Sequence, residues 1–201
     1  MKARLLFAAL AAFTFATAVL AQTPSPSTRI RGTITAFDGA NLTIASREGP
    51  SVMVALNADA RLVAILPAKL ADVKPGSYIG TAALPQPDGS LMAMEVQVFP
   101  EAMRGVGEGT RPWDLRPDST MTNGTVGDVA GVAGRTMTVK YKGEEKKVVV
   151  PAEAPVITYE PATKEMLSVG AHVIVTAAKA ADGTLHAAIV GVGKDGLTPP
   201  M

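Results

Sequence analysis

Apolar positions along the chain recur at a period of two rather than 3.6. "TITAF" (33–37), "NLTIAS" (41–46), "SVMVAL" (51–56), "YIGTAAL" (78–84) and "LMAMEVQV" (91–98) alternate apolar and polar residues or run in β-branched ones, and Gly, Pro, Asn or Asp bounds each stretch. That period places alternate side chains on one face, so these segments are predicted strands. Asp38-Gly39, Asp88-Gly89 and Asp182-Gly183 stand between apolar runs. They predict tight hairpins, whose turns need positive φ. "PAKLADVKPG" (67–76) opens on proline, continues in helix formers and stops at glycine, which predicts a short helix.

The pattern then repeats. "RGTI" (31–34) returns as "NGTV" (123–126), an offset of 92. "VALNADARLV" (54–63) returns as "VVVPAEAPVI" (148–157), "KPGSYIGTAA" (74–83) as "SVGAHVIVTA" (168–177) and "DGSLMAMEVQV" (88–98) as "DGTLHAAIVGV" (182–192), all offset by 94. A net insertion near "GDVAGVAGR" accounts for the difference, and the short helix is echoed by "PATKEMLSVG" (161–170). One unit of 70 residues thus stands twice, over 30–99 and 123–193. Three strands, a helix and two more strands is the order of the small Greek-key barrel of the OB (oligonucleotide/oligosaccharide-binding) type. The expected fold is all-β: two tandem five-stranded OB-like barrels, each with a short helix between its third and fourth strands.

Around the repeats, the expected organisation is a signal peptide over 1–21, a flexible segment over 22–29, an ordered connector over 100–122 and a tail over 194–201. The residues of the first unit, "G-x-I-x-A-F-D-G-x-x-L-T-I … L-x-D-V-K-P-G-S-Y-I … D-G-S-L-x-A-x-E-V", also carry a resemblance. They look like the exported bacterial domains of unknown function grouped as DUF5666, which are similar to periplasmic OB-fold proteins. The resemblance spans both units and not the connector. It implies an OB-like fold and an exported location, and it implies no chemistry. The second unit departs from it in a longer first hairpin and in Ile189, which stands where the first unit has Glu95.

The leader "MKARLLFAALAAFTFATAVLAQ" has Lys2 and Arg4 ahead of an apolar run that ends in small residues, the pattern of a cleavable secretory signal. The expected cut follows Ala21, with Ala18 as the alternative. The run falls short of the ~20 apolar residues of a spanning helix, so no stable membrane span is expected after cleavage. The expected location is the periplasm. Cleavage leaves 17 of the 19 Lys and Arg against 18 Asp and Glu, a net charge of −1. So balanced a charge gives little drive toward nucleic acid or anionic lipid. With no cysteine in the chain, disulfides, thiol nucleophiles and thiolate metal sites are ruled out, and lipidation at a cysteine after the cut with them. A unit near this size buries only about 60% of its unfolded surface, so the barrels are expected to pack against each other or against a partner.

Catalytic constellations are lacking in the sequence. There is no G-x-S-x-G, and the paired acids Glu144-Glu145 sit in a turn among lysines. The two histidines, His172 and His186, correspond to Tyr78 and Met92 of the first unit, so the pair is not a property of the repeat. A non-enzymatic protein without cofactor is expected. Phe37, Tyr78, Phe99, Trp113, Tyr141 and Tyr159 are spread over both units and the connector, unlike the aromatic platforms of single-strand binders. Nucleic acid is therefore not an expected partner. A soft-metal reading, Cu(I) held by thioether and imidazole, rests on Met92 and Met94 two apart on one strand, with Met53, Met103, Met121, His172 and His186 elsewhere. Against it, methionine fills irregular cores, and Met92 and Met94 are expected to point inward.

The connector "GVGEGTRPWDLRP" (105–117) holds three alternating glycines and the single tryptophan of the chain. It lacks dinucleotide-binding spacing, and Arg111-Pro112 stands where a phosphate loop would open into helix. A solvated linker would carry no large apolar groups. The segment is therefore expected to be ordered, with Trp113 as its anchor and its arginines paired with Glu101, Glu108, Asp114 or Asp118. Two roles stay open for Trp113: a staple between the barrels, or the hot spot of a binding surface, where Trp and Arg are over-represented. The candidate binding residues are Arg104, Glu108, Arg111, Trp113, Asp114 and Arg116. The expected partner is another envelope protein or a small ligand.

Overall fold

A computed structural model describes residues 27–131 and 135–200. The expected signal peptide lies outside the described residues. Twelve strands account for nearly all the regular structure: β1 (Ser27–Phe37), β2 (Asn41–Ser46), β3 (Val52–Pro67), β4 (Tyr78–Pro85), β5 (Leu91–Val98), β6 (Gly109–Pro112), β7 (Thr120–Ala130), β8 (Thr136–Tyr141), β9 (Glu144–Val149), β10 (Val156–Pro161), β11 (His172–Lys179) and β12 (Leu185–Gly193). The expected all-β class is what the alternating pattern produces. No helix among the described residues is long and apolar enough to cross a membrane.

Neither expected short helix forms. Each position holds one 3-10 turn, Leu70–Asp72 and Lys164–Met166. The prolines taken as helix openers instead end strands: Pro67 pairs with Ile157, and Pro161 with Val63. Too few residues then remain before the next turn for a helix to propagate.

Five strands close into a barrel, β1–β2–β3–β12–β11 and back to β1. The first three come from residues 27–67 and the last two from residues 172–193. The reciprocal circuit runs β4–β7–β8–β9–β5, its seam between β5 and β9 held by two pairs, Leu91 with Val148 and Met92 with Val149. The expectation of one barrel closed within 30–99 and another within 123–193 is therefore corrected: β11 and β12 complete the circuit of β1, β2 and β3, and 30–99 is not a closed pairing unit. Each of the ten strands in the two circuits contributes buried apolar residues to a core.

The two circuits meet along β3 and β10, antiparallel, with Ile65 opposite Tyr159. Those residues are 94 apart, and the flanking pairs Val63–Pro161 and Pro67–Ile157 are exchanged by the same offset. The parallel pairs Val190–Leu62 and Val96–Val156 are likewise equivalent. A pseudo-two-fold axis thus passes between Ile65 and Tyr159.

Each circuit has its own core: Ile34, Leu42, Ile44, Val54 and Val175 in the first, and Ile79, Val96, Val139 and Val148 in the second. A third cluster lies on the outer faces where the circuits meet, built from Val63, Ile65, Tyr78, Phe99, Met121, Ile157, Tyr159 and Ile174. Gly32 and Gly124, the glycines of "RGTI" and "NGTV", explain why that motif recurs. A Cβ would lie 2.1 Å from the Ala45 carbonyl oxygen at Gly32 and 2.5 Å from that of Lys140 at Gly124. Only glycine lets the strands coil this tightly.

Candidate functional site

The connector crosses the junction of the two circuits. Gly105, Gly107 and Gly109 all take positive φ (84°, 60° and 114°), which is the conformational reason for glycine at alternate positions. The Tyr78 hydroxyl and Asn123 Nδ2 both donate to the Val106 carbonyl, at 3.2 and 2.9 Å. Arg111 donates to the Gly107 carbonyl at 2.8 Å. β6 then adds to β7, a strand the sequence pattern did not reveal. Beyond it the chain turns back on buried Ser119. Its hydroxyl donates to the carbonyls of Trp113 and Arg116 (3.0 and 2.7 Å), and its own carbonyl accepts the Trp113 N–H at 2.8 Å.

This turn presses Trp113 and Asp114 onto β1. The Arg29 guanidinium lies 3.5 Å from the centre of the Trp113 ring, and that of Arg111 lies 5.6 Å away. Asp114 accepts from buried Arg31 at 2.7 and 3.3 Å and pairs with Arg29 at 3.4 Å. Partial burial opposes ionisation of Asp114, but the Arg31 hydrogen bonds and the two positive charges hold its carboxyl below the usual range. The loop thus anchors at one end on the second circuit and at the other on β1 of the first.

The six candidate residues divide. Arg111, Trp113 and Asp114 gather at the junction. Arg104 sits apart, paired with Glu101 at 2.5 Å and donating to the Gly76 carbonyl at 2.9 Å. Glu108 accepts the Lys142 backbone N–H at 3.1 Å, and Arg116 lines a separate depression beside Met92, Met94 and Leu115. Of the expected ion pairs within the connector, Arg104–Glu101 forms. Asp114 instead takes Arg29 and Arg31, which the sequence reading missed because they lie more than 80 residues upstream.

Behind Trp113 lies a cavity of about 160 Å³. Its floor is buried Val63, Ile65, Phe99, Tyr159 and Asn123, and its rim includes the exposed Arg61, Val106 and Ile189. Phe99 stacks on Tyr159 and meets Tyr78 at a 44° tilt, with successive ring centres 5.5 Å apart. Aromatics scattered in the sequence are thus collected by the fold, yet they are buried and offer no open platform. Two buried polar atoms of residues around the cavity, Trp113 Nε1 and Asn123 Oδ1, have no hydrogen-bond partner among the described residues and no accessible surface toward it.

The pseudo-symmetry-related side is built differently. Where the cavity side has Asn123, Ile189 and Gly191, it has Arg31, Glu95 and Gln97. Glu95 is 1% exposed, and among the described residues its carboxylate has only the Gln97 side chain as a weak hydrogen-bond partner. Burial pushes its pKa up to about 8, against the opposing pull of Gln97 and Arg31. Gln97 also accepts from the Tyr159 hydroxyl at 2.7 Å. A charged residue within the apolar run "LMAMEVQV" was the visible signal of this feature.

The residues of the soft-metal reading are not brought together. His172 begins β11 and His186 is the second residue of β12, at opposite ends of an antiparallel pair. His172 contacts the Thr33 hydroxyl at 3.0 Å, and His186 contacts Thr184 and Asn57 at 3.1 and 3.3 Å. Met92 and Met94 do share a face, but it is the outer one: Leu91, Ala93 and Val96 point into the core. The expected inward placement is corrected, because a bulge in the β4–β5 pairing between Ala82 and Ala83 puts Val96 rather than Glu95 next in the inward row. Comparison with known proteins finds no match: no family model, no curated protein and no solved structure is similar to this chain.

Proposed function

We propose that this chain is an exported, non-enzymatic binding or assembly module of the bacterial cell envelope, built from two OB-like barrels with exchanged strands. The secretory pattern of the leader and the resemblance of both repeats to exported OB-like domains support the location and the fold. The observation that carries the binding role is the cavity at the junction, walled by Trp113 and Arg111 and backed by the Phe99–Tyr159 stack. Concave, mostly apolar sites with a few convergent polar groups are the usual form of a small-molecule site. Trp113 serves this role in addition to stapling β1 to the connector.

Trp113 is the only tryptophan in the chain, so any occupant of the cavity moves its fluorescence. Titration of the purified protein with benzyl alcohol, a ring-sized neutral probe, is expected to give a saturable change in emission. The change should vanish when Gly191→Leu fills the cavity. A linear, unsaturable response, the same in that variant, refutes the junction as a binding site. Export is tested separately by N-terminal sequencing of the processed protein, expected to begin at Gln22.

A further inference from the structure

One buried arginine stands among more carboxylates than it serves. Arg31, on β1, is 2% exposed. Its Nη atoms hold Asp114 of the connector at 2.7 and 3.3 Å and Glu48 at 3.1 Å. Its Nε–H is buried and has no acceptor among the described residues. Glu95, on β5, is the opposite case: a buried carboxyl with only the Gln97 side chain as a weak partner. Arg31 and Glu95 occupy the positions that Asn123 and Ile189 hold on the other side of the pseudo-two-fold axis, where both line one cavity. The axis thus sets the two around a common space, and the Arg31 charge acts on Glu95.

The other elements around Glu95 bring no free cation. β10 brings Tyr159, whose hydroxyl donates to Gln97 at 2.7 Å; burial and the Glu95 charge hold its pKa above the ordinary range. β4 and β7 bring Ala82 and Met121, and the connector brings Asp114, already held by Arg31. While Glu95 is neutral, one buried donor goes unused. Once Glu95 ionises, a buried charge and a buried donor would both lack a partner, and each is destabilising. Turning the guanidinium fork toward Glu95 answers both. Asp114 and Glu48, with side chains 41% and 57% exposed, can be served by water instead, and exposed ion pairs contribute little. Glu95 has no such alternative.

We propose that Arg31 is a proton-controlled latch on the connector. With Glu95 protonated, Arg31 clamps Asp114 against β1. When Glu95 gives up its proton, the guanidinium turns to it and lets Asp114 go, leaving only the 3.4 Å contact with Arg29. The turn from Trp113 to Ser119 keeps its internal hydrogen bonds, so it lifts from β1 as a unit and carries Trp113 with it. Burial sets the Glu95 pKa at about 8, so the latch is closed at neutral pH and opens just above it. None of this depends on an occupant of the junction cavity.

The single tryptophan reports the position of the turn. Acrylamide quenching of the protein, scanned from about pH 6 to about pH 10, is expected to rise roughly twofold in a one-proton step as the half-buried indole opens. The midpoint should lie near pH 8. Glu95→Gln should abolish the step and stay at the low-pH value. Asp114→Ala, which removes the clamped group, should give the high-pH value throughout. A flat profile in the parent overturns the latch, and so does a step that persists in Glu95→Gln. An emission shift near pH 8 without a change in quenching would mean that Glu95 ionises while the connector stays in place, which also overturns it. If Asp114→Ala quenches like the parent at neutral pH and keeps the step, the Arg31–Asp114 pair is not the tether and the latch fails.

Discussion

Glu95→Gln is expected to make the protein more stable at neutral pH, by an amount that grows with pH. The Glu95 carboxyl is fully buried, and burial outweighs the Gln97 hydrogen bond and the Arg31 charge to raise its pKa from 4.5 to about 8. Between those two values the folded chain keeps a proton that the unfolded chain has released. Stability then falls as pH rises, by about 1.4 kcal/mol per pH unit. The loss begins near the unfolded pKa and is complete once pH passes the folded one. From pH 4.5 to pH 7 it amounts to about 3 kcal/mol, a sizeable share of the ~5–15 kcal/mol that holds a domain folded. Glutamine keeps the shape and stays neutral. The two proteins should therefore be nearly equal in stability at pH 4.5, with the variant ahead by about 3 kcal/mol at pH 7. Urea unfolding followed by circular dichroism at pH 5, 6, 7 and 8 gives both profiles by linear extrapolation. Parallel profiles, or a variant less stable than the parent at pH 7, would show that Glu95 is ionised in the fold and has a partner there, and the reasoning would fail.

Trp113→Ala removes a half-buried indole and its stacking on Arg29, and should cost about 2 kcal/mol. That corresponds to a fall of roughly 5 °C in Tm by circular dichroism for a chain of this length; a fall under one degree would deny it the staple role. Gly32→Ala forces a Cβ against the Ala45 carbonyl, whereas Gly49→Ala meets nothing within 4 Å. The first should lose about 3 kcal/mol and the second stay within about 0.5 kcal/mol of the parent, and equal urea midpoints would contradict the close approach of β1 and β2. A fragment covering residues 27–100 lacks every strand that pairs with β4 and β5 from outside the repeat. Light scattering should find it dimeric or aggregated, and a folded monomer would contradict the exchange of strands.

Much of the architecture was already written in the local pattern. β2 and β5 coincide with "NLTIAS" and "LMAMEVQV", and Gly105, Gly107 and Gly109 of the connector all take positive φ. These features depend on neighbours in the chain: side-chain alternation and turn chemistry. The candidate site was legible only in part. Arg111, Trp113 and Asp114 meet at the junction, but Arg29, Arg31, Arg61 and Asn123, which give it its chemistry, come from strands far away in sequence.

What the sequence determined by itself was the strand period and the all-β class, since these follow from residue spacing alone, whereas the β4–β5 bulge decided which face of β5 turns inward. Which copy supplies the fourth and fifth strands of each circuit was left to the tertiary structure. The two copies present nearly the same apolar faces, so either could complete a circuit. The choice depends on β3 and β10 running on to Pro67 and Pro161 and pairing with each other. That pairing also creates the junction, and with it the contrast between a cavity on one side of the axis and a buried carboxylate on the other.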